Sequence, residues 1–116
     1  MGKSFRLAAE QIEDLVPAQG WCIASDRITV DGCHVGFMYR DRRSDANDSG
    51  WRFWAGDESD SYANDPKNLA MYDVNTIANY DPAIIDLLDS PEMTAFERAD
   101  RSSRFNPAPF PKDGLN

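Results

Sequence analysis

One segment of this 116-residue chain leaves the least freedom: Asp48-Ser49-Gly50-Trp51-Arg52-Phe53-Trp54-Ala55-Gly56-Asp57-Glu58-Ser59-Asp60-Ser61-Tyr62. Two of the three tryptophans stand in it beside a phenylalanine, and a block of acids follows at once. In a strand these side chains alternate, with Trp51, Phe53 and Ala55 on one face and Arg52 and Trp54 on the other. Asp48-Ser49-Gly50 reads as the turn that aims the strand. Gly56-Asp57-Glu58 reads as the joint into a short helix over 58–64, with Asp57 as N-cap and Glu58 and Asp60 in the first turn. Trp51 and Phe53 are expected in the core. Trp54 is expected outside, or under a helix.

The flanking chain supplies partners for such a strand. Val35-Gly36-Phe37-Met38-Tyr39 alternates in the same way, and the polar stretch 41–50 between the two reads as an exposed loop. The pair is expected to be antiparallel, with its register set by aromatic contacts across the strands. Trp21-Cys22-Ile23-Ala24 is a further strand, which Ile28-Thr29-Val30 extends or follows before a turn at Asp31-Gly32. Leu69-Ala70-Met71-Tyr72 is another, and Thr94-Ala95-Phe96-Glu97 is a last one at the sheet edge. Asp73 can cap a helix carrying Val74, Ile77 and Ala78. Asp81-Pro82 starts the next, with Ile84, Ile85 and Leu88 inward and Asp86 and Asp89 outward. Ahead of all this, Ala8, Ile12, Leu15 and Val16 are spaced for an amphipathic helix over 5–16, with Ser4 as its cap and Pro17 and Gly20 ending it.

These elements predict a single α+β domain: a small, mainly antiparallel sheet packed against several short helices. Residues 1–19 form an N-terminal helical segment, 20–105 the main domain, and 106–116 a proline-rich extended tail. No apolar run approaches the ~20 residues of a membrane helix. The N-terminus has no apolar signal core, so the expected location is the cytoplasm. Cys22 and Cys33 are expected as free thiols, and with His34 they fit no zinc-ligand spacing.

The net charge of −8 is unevenly spread. Residues 44–92 hold eleven acids against Arg52 and Lys67, a net of −9, while 1–43 balance and 93–116 carry +1. Such a surface repels nucleic acid; it either attracts a basic partner or, the reading charge alone favours, only keeps the protein soluble. No membrane partner is expected, and the oligomeric state is left open.

Chemistry has weak candidates. Asp45-x-Asn47-x-Ser49-Gly50 imitates the start of a calcium loop, but the twelfth position is Gly56 where a bidentate Glu is needed. Asp57, Glu58 and Asp60 have the types for a cation site or a shared proton, yet capping explains the same residues at the same spacing. His34 is the single histidine, so a nucleophile such as Cys22 or Ser25 would have to use it, and no Gly-x-Ser-x-Gly elbow is present. No catalytic residue, metal or cofactor is assigned. The aromatic residues and outward acids leave a binding surface of Trp54, Asp57, Glu58, Asp60 and Tyr62.

Several motifs occur in a fixed order: Cys22-x-x-Ser25, Val35-Gly36-Phe37-Met38-Tyr39-Arg40, Asp48-Ser49-Gly50-Trp51-Arg52-Phe53 and Gly56-Asp57-Glu58. Tyr62, Asn75-Thr76-Ile77-Ala78, Tyr80-Asp81-Pro82, Leu88-Asp89-Ser90-Pro91 and Ala95-Phe96-Glu97-Arg98 follow. Together, over roughly 20–105, they resemble the bacterial immunity-protein domain family number thirty-three of polymorphic toxin systems, formerly a domain of unknown function. The resemblance implies an α+β fold and a non-enzymatic protein that binds and neutralises a cognate toxin by occlusion. A basic toxin surface would suit the acids. Two alternatives stay open: a cytoplasmic module that binds a small ligand against the aromatic sheet, and a metal-dependent hydrolase built on the acidic cluster.

Overall fold

A computed structural model describes residues 3–111. Six strands form one open sheet: β1 (Trp21–Ser25), β2 (Phe37–Arg40), β3 (Asp48–Trp54), β4 (Leu69–Asp73), β5 (Thr94–Glu97) and β6 (Asn106–Ala108). Their spatial order is β4-β1-β3-β2-β5-β6; β1 runs parallel to β3, and the other neighbours are antiparallel. Three short α-helices join them, α1 (Asp26–Thr29), α2 (Asp60–Ala63) and α3 (Val74–Tyr80), with 3₁₀ turns at Ala9–Gln11, Pro66–Asn68 and Pro82–Leu87. This is the α+β fold with a mainly antiparallel sheet that the sequence predicts. No helix among the described residues is long and apolar enough to cross a membrane.

The aromatic strand lies in the interior of the sheet. Phe37, Met38, Tyr39 and Arg40 of β2 stand opposite Trp54, Phe53, Arg52 and Trp51 of β3, the antiparallel pair expected. Trp51 and Phe53 stack at 6.0 Å and are fully buried with Cys22, Ala24 and Met38. Ile28 of α1, Val74, Ile77 and Ala78 of α3, and Ile84 and Leu88 cover that face. The opposite face has a second cluster of Tyr39, Trp54, Ala63 and Ala95, with Phe37, Leu69, Ala108 and Phe110 packed against it. β3 is therefore enclosed on both faces. Gly36 lets β2 and the end of β3 approach closely, since a Cβ there would lie 2.1 Å from the Ala55 carbonyl oxygen.

Several local expectations are corrected. Residues 5–16 are not a helix. One 3₁₀ turn at Ala9–Gln11 interrupts an extended strap in which no residue is fully buried and Leu15 is 42% exposed. An isolated helix of ~12 residues is marginal, and here the strap's amides find side-chain partners on α3 instead. Ile28 and Thr29 belong to α1, which Ser25 caps by accepting from the Arg27 amide, and not to a strand. The cap of α2 is Ser59, not Asp57, and the helix begins at Asp60. β5 is not the edge, because Asn106–Ala108 pairs outside it as β6. Pro107 fits there because an edge strand can spare a donor. The tail expected from 106 thus starts inside the sheet, and its residues 112–116 lie outside the described ones.

Asp48-Ser49-Gly50 is strand, not an exposed turn. Asp48 accepts from the Ser44 amide and hydroxyl, the Gly50 amide, and Arg52 Nη1 and Nη2. Gly50 (φ +86°) permits the irregular backbone that brings Asp48 and Arg52 together. Arg52 in turn lies over the Trp21 ring at 5.2 Å. Burial of the carboxyl opposes ionisation, but the donors from Arg52, Ser44 and Gly50 outweigh it and hold its pKa at about 2, against the ordinary 3.8. A depressed folded-state pKa stabilises the fold above about pH 4, and that stabilisation is lost as pH falls toward 2. It amounts to about 2 kcal/mol at 1.36 kcal/mol per pKa unit. Urea titrations of the wild type and Asp48→Asn should therefore differ most at neutral pH, and their midpoints should converge as pH is lowered from 4 to 2.

Candidate functional site

β3 ends at Trp54, and the chain then turns through Ala55-Gly56-Asp57-Glu58 into α2. Beside this turn lies an open hollow of about 860 Å³. Trp54, Asp57, Glu58 and Asp60 all line it, so the structure brings together four of the five residues proposed from sequence. Tyr62 does not line it. Its phenol is near Ser25, and its pKa is raised first by burial and then by the Asp26 charge.

The acids are not equivalent. Asp57 receives Arg27 through Nε (3.2 Å) and Nη2 (2.6 Å), and Arg27 Nη1 also reaches Asp31 at 3.0 Å. The Arg27 hydrogen bond holds the Asp57 carboxyl below its ordinary range. Asp57 is thus an ion-pair partner of α1 and not a helix cap. Glu58 folds back on the turn, accepting from the Ala55 amide at 2.8 Å and the Gly56 amide at 2.9 Å. Asp60 is exposed in the first turn of α2, where a carboxylate complements the helix dipole. It forms no ion pair with the described residues, and neither does Glu97, which also lines the hollow.

Trp54 corrects the expectation of an exposed anchor. It is 3% exposed, packed in the second core cluster, because α2 and the segment after β6 roof that face of the sheet. Its Nε1 is the one buried side-chain nitrogen or oxygen among the described residues without a hydrogen-bond partner. It forms a wall of the hollow and is no protruding contact.

The base of the hollow holds residues that sequence reading missed. Arg98 forms a buried ion pair with Asp81 and donates through Nε to the Val35 carbonyl at 2.9 Å. Asp81 also accepts from the Val35 amide at 2.9 Å and the Ala83 amide at 3.2 Å. Phe105 packs under the guanidinium, 4.4 Å from ring centroid to Cζ. Cys33, His34 and Arg101 complete that side. Both residues stand in the quoted motifs, Asp81 in Tyr80-Asp81-Pro82 and Arg98 in Ala95-Phe96-Glu97-Arg98, but nothing local in the sequence pairs them.

The other chemical candidates are not assembled. Cys22 and Ser25 are buried on β1 and do not line the hollow with His34, and burial pushes the Cys22 thiol well up. Both cysteines are free. In the calcium-like segment, Asp45 accepts from the Asn47 and Asp48 amides, and the Ser49 hydroxyl donates to the Trp21 carbonyl. Among the described residues no group of three or more His, Cys, Asp or Glu is placed to hold a metal ion.

Truncating a packed indole leaves a cavity, so Trp54→Ala should cost about 3–5 kcal/mol of stability. Trp54→Phe should cost far less, since the lost N–H has no partner. Thermal or urea unfolding of the two variants measures this, and near-equal losses would contradict the packing account.

Compared with protein-family models, residues 22–108 match the immunity protein Imm33 domain. No curated protein and no solved structure matches.

Proposed function

The chain belongs to the Imm33 immunity-protein domain family, and on that premise we propose that it binds a cognate bacterial toxin in the cytoplasm and neutralises it by occlusion, without chemistry of its own. The observation that carries the reading is the acid-rimmed hollow at the end of β3. Asp57, Glu58, Asp60 and Glu97 line it together with Trp54; Arg98 and Arg101 line it as well, the former paired with Asp81. Such a recess accepts a lysine or arginine side chain, whose stem packs on apolar surface while its head meets carboxylates.

The acids divide the work. Asp57 and Glu58 are held by Arg27 and by the turn amides, so they give the rim a fixed shape. Asp60 and Glu97 have no such engagement and offer their charge to a partner. The excess of negative charge over 44–92 would speed encounter with a basic toxin surface, such as that of a nuclease. Occlusion asks for no nucleophile, and the engaged carboxylates favour it over a hydrolase built on the same cluster.

Co-expression with a cognate toxin should restore growth to cells that make the toxin, and the purified pair should form a stable complex that lacks toxin activity. Asp60→Lys combined with Glu97→Lys should slow association about tenfold or more at low salt, with the difference shrinking at high salt. Association at the wild-type rate would remove the hollow from the interface. A small molecule held there without any toxin partner would favour a ligand-binding module instead.

A further inference from the structure

Two asparagines on α3 hold the N-terminal strap by its backbone alone. Asn75 Oδ1 accepts from the Leu15 amide at 2.8 Å and the Val16 amide at 3.1 Å, and Asn75 Nδ2 donates to the Glu13 carbonyl at 2.8 Å. Asn79 Oδ1 accepts from the Glu13 amide at 2.9 Å, and Asn79 Nδ2 donates to the Glu13 carbonyl at 2.9 Å. At the next residue, the Tyr80 hydroxyl accepts from the Leu7 amide at 3.1 Å. A carboxamide is donor and acceptor at once, so at helical i, i+4 spacing two of them present the pattern of a strand edge. Recognition of that kind reads the main chain and tolerates many sequences.

Of the strap's described side chains, Val16 alone packs against the core cluster. No strap residue is fully buried, and Leu15 turns its apolar side chain to solvent. The strap carries Glu10, Glu13 and Asp14, and α3, which holds it, belongs to a stretch, residues 68–97, that has six acids and no lysine or arginine. Of those six, Asp81 is paired with Arg98 and Glu92 with Arg43, while Asp73, Asp86, Asp89 and Glu97 are exposed and form no ion pair with the described residues. The family match begins at residue 22, so it includes the clamp and leaves out the strap.

We propose that Asn75, Asn79 and Tyr80 form a binding site for an extended, basic peptide segment, and that residues 7–16 cover it in cis until such a segment replaces them. Resting on the immunity reading above, the segment is a lysine- or arginine-bearing stretch of the toxin. The cis strap keeps its place through tethering. Only residues 17–20 separate it from β1, and a short linker gives an effective concentration of about a millimolar. A free segment with complementary charge overcomes that advantage by affinity.

The test uses the full chain and two synthetic peptides: residues 5–19 as they stand, and the same peptide with Glu10→Lys, Glu13→Lys and Asp14→Lys. Glu13→Pro with Leu15→Pro in the protein removes two strap donors and leaves the clamp intact. This variant should bind the lysine peptide at least tenfold more tightly than the wild type does, and at least tenfold more tightly than it binds the acidic peptide at low salt. The shifts should map to the Asn75 and Asn79 side-chain amides in NMR spectra, and adding Asn75→Ala with Asn79→Ala should abolish binding. If the proline variant loses its folded spectrum, the wild type at millimolar lysine peptide serves. Its Leu15 and Val16 amides should then lose protection from hydrogen exchange. Absence of binding, binding that survives the asparagine substitutions, or equal affinity for the two peptides overturns the proposal. No toxin enters the experiment, so its failure would leave the immunity reading standing, and failed toxin capture would leave the clamp standing.

Discussion

The ion pair of Asp81 and Arg98 is the constraint on which most of this architecture converges. Both side chains are almost entirely withdrawn from water. Two charges in that setting are tolerated only when each is paired and its remaining hydrogen-bonding capacity is met. Here that demand joins parts of the chain far apart in sequence. Asp81 ends α3, caps the Pro82–Leu87 turn through the Ala83 amide, and takes the Val35 amide ahead of β2. Arg98 leaves β5, takes the Val35 carbonyl, and lies over Phe105 on the way to β6. The same guanidinium is part of the wall of the hollow, so the geometry of the rim is tied to the interior of the domain.

That interior was legible where side-chain periodicity and burial agree. The alternation in β3 placed Trp51 and Phe53 in the core, and the partnership with β2 followed from two aromatic runs joined by a polar loop. Alternation alone could not place Trp54. It says which residues share a face, and it cannot say whether the second face is also covered. The covering comes from Ala63, Ala108 and Phe110, whose segments carry little apolar signal of their own. The segment 106–116 reads as an extended tail by its alternating prolines, yet an edge strand accommodates Pro107 without loss, so composition did not distinguish the two.

The acidic corner shows a similar division. Its identity as a charged, partly capped turn was visible in Gly56-Asp57-Glu58. The roles of its members were not, because they are set at a distance. Asp57 answers to Arg27, thirty positions earlier, and the capping left over falls to Ser59. Glu58 answers to two amides of its own turn. Carboxylates so engaged contribute shape more than free charge, which narrows the electrostatic part of any interface to Asp60 and Glu97. The asymmetry, two anchored acids beside one open one, is set by contacts of the folded chain: Arg27 for Asp57 and two turn amides for Glu58.

The N-terminal strap is the clearest conflict between local pattern and outcome, and it bears on how the domain meets other chains. Ala8, Ile12, Leu15 and Val16 have helical spacing, but of that stripe only Val16 packs against the core cluster. An extended backbone instead satisfies its amides on Asn75, Asn79 and Tyr80, a solution that leaves most of the strap's apolar side chains without a core. Backbone pairing gives little preference for the strap's own sequence, and the strap's acids, Glu10, Glu13 and Asp14, form no ion pair with the described residues. Its residence therefore depends on covalent proximity more than on complementarity. A contact with that balance is stable in the isolated chain and open to exchange, whereas the aromatic core beneath it is neither exposed nor exchangeable.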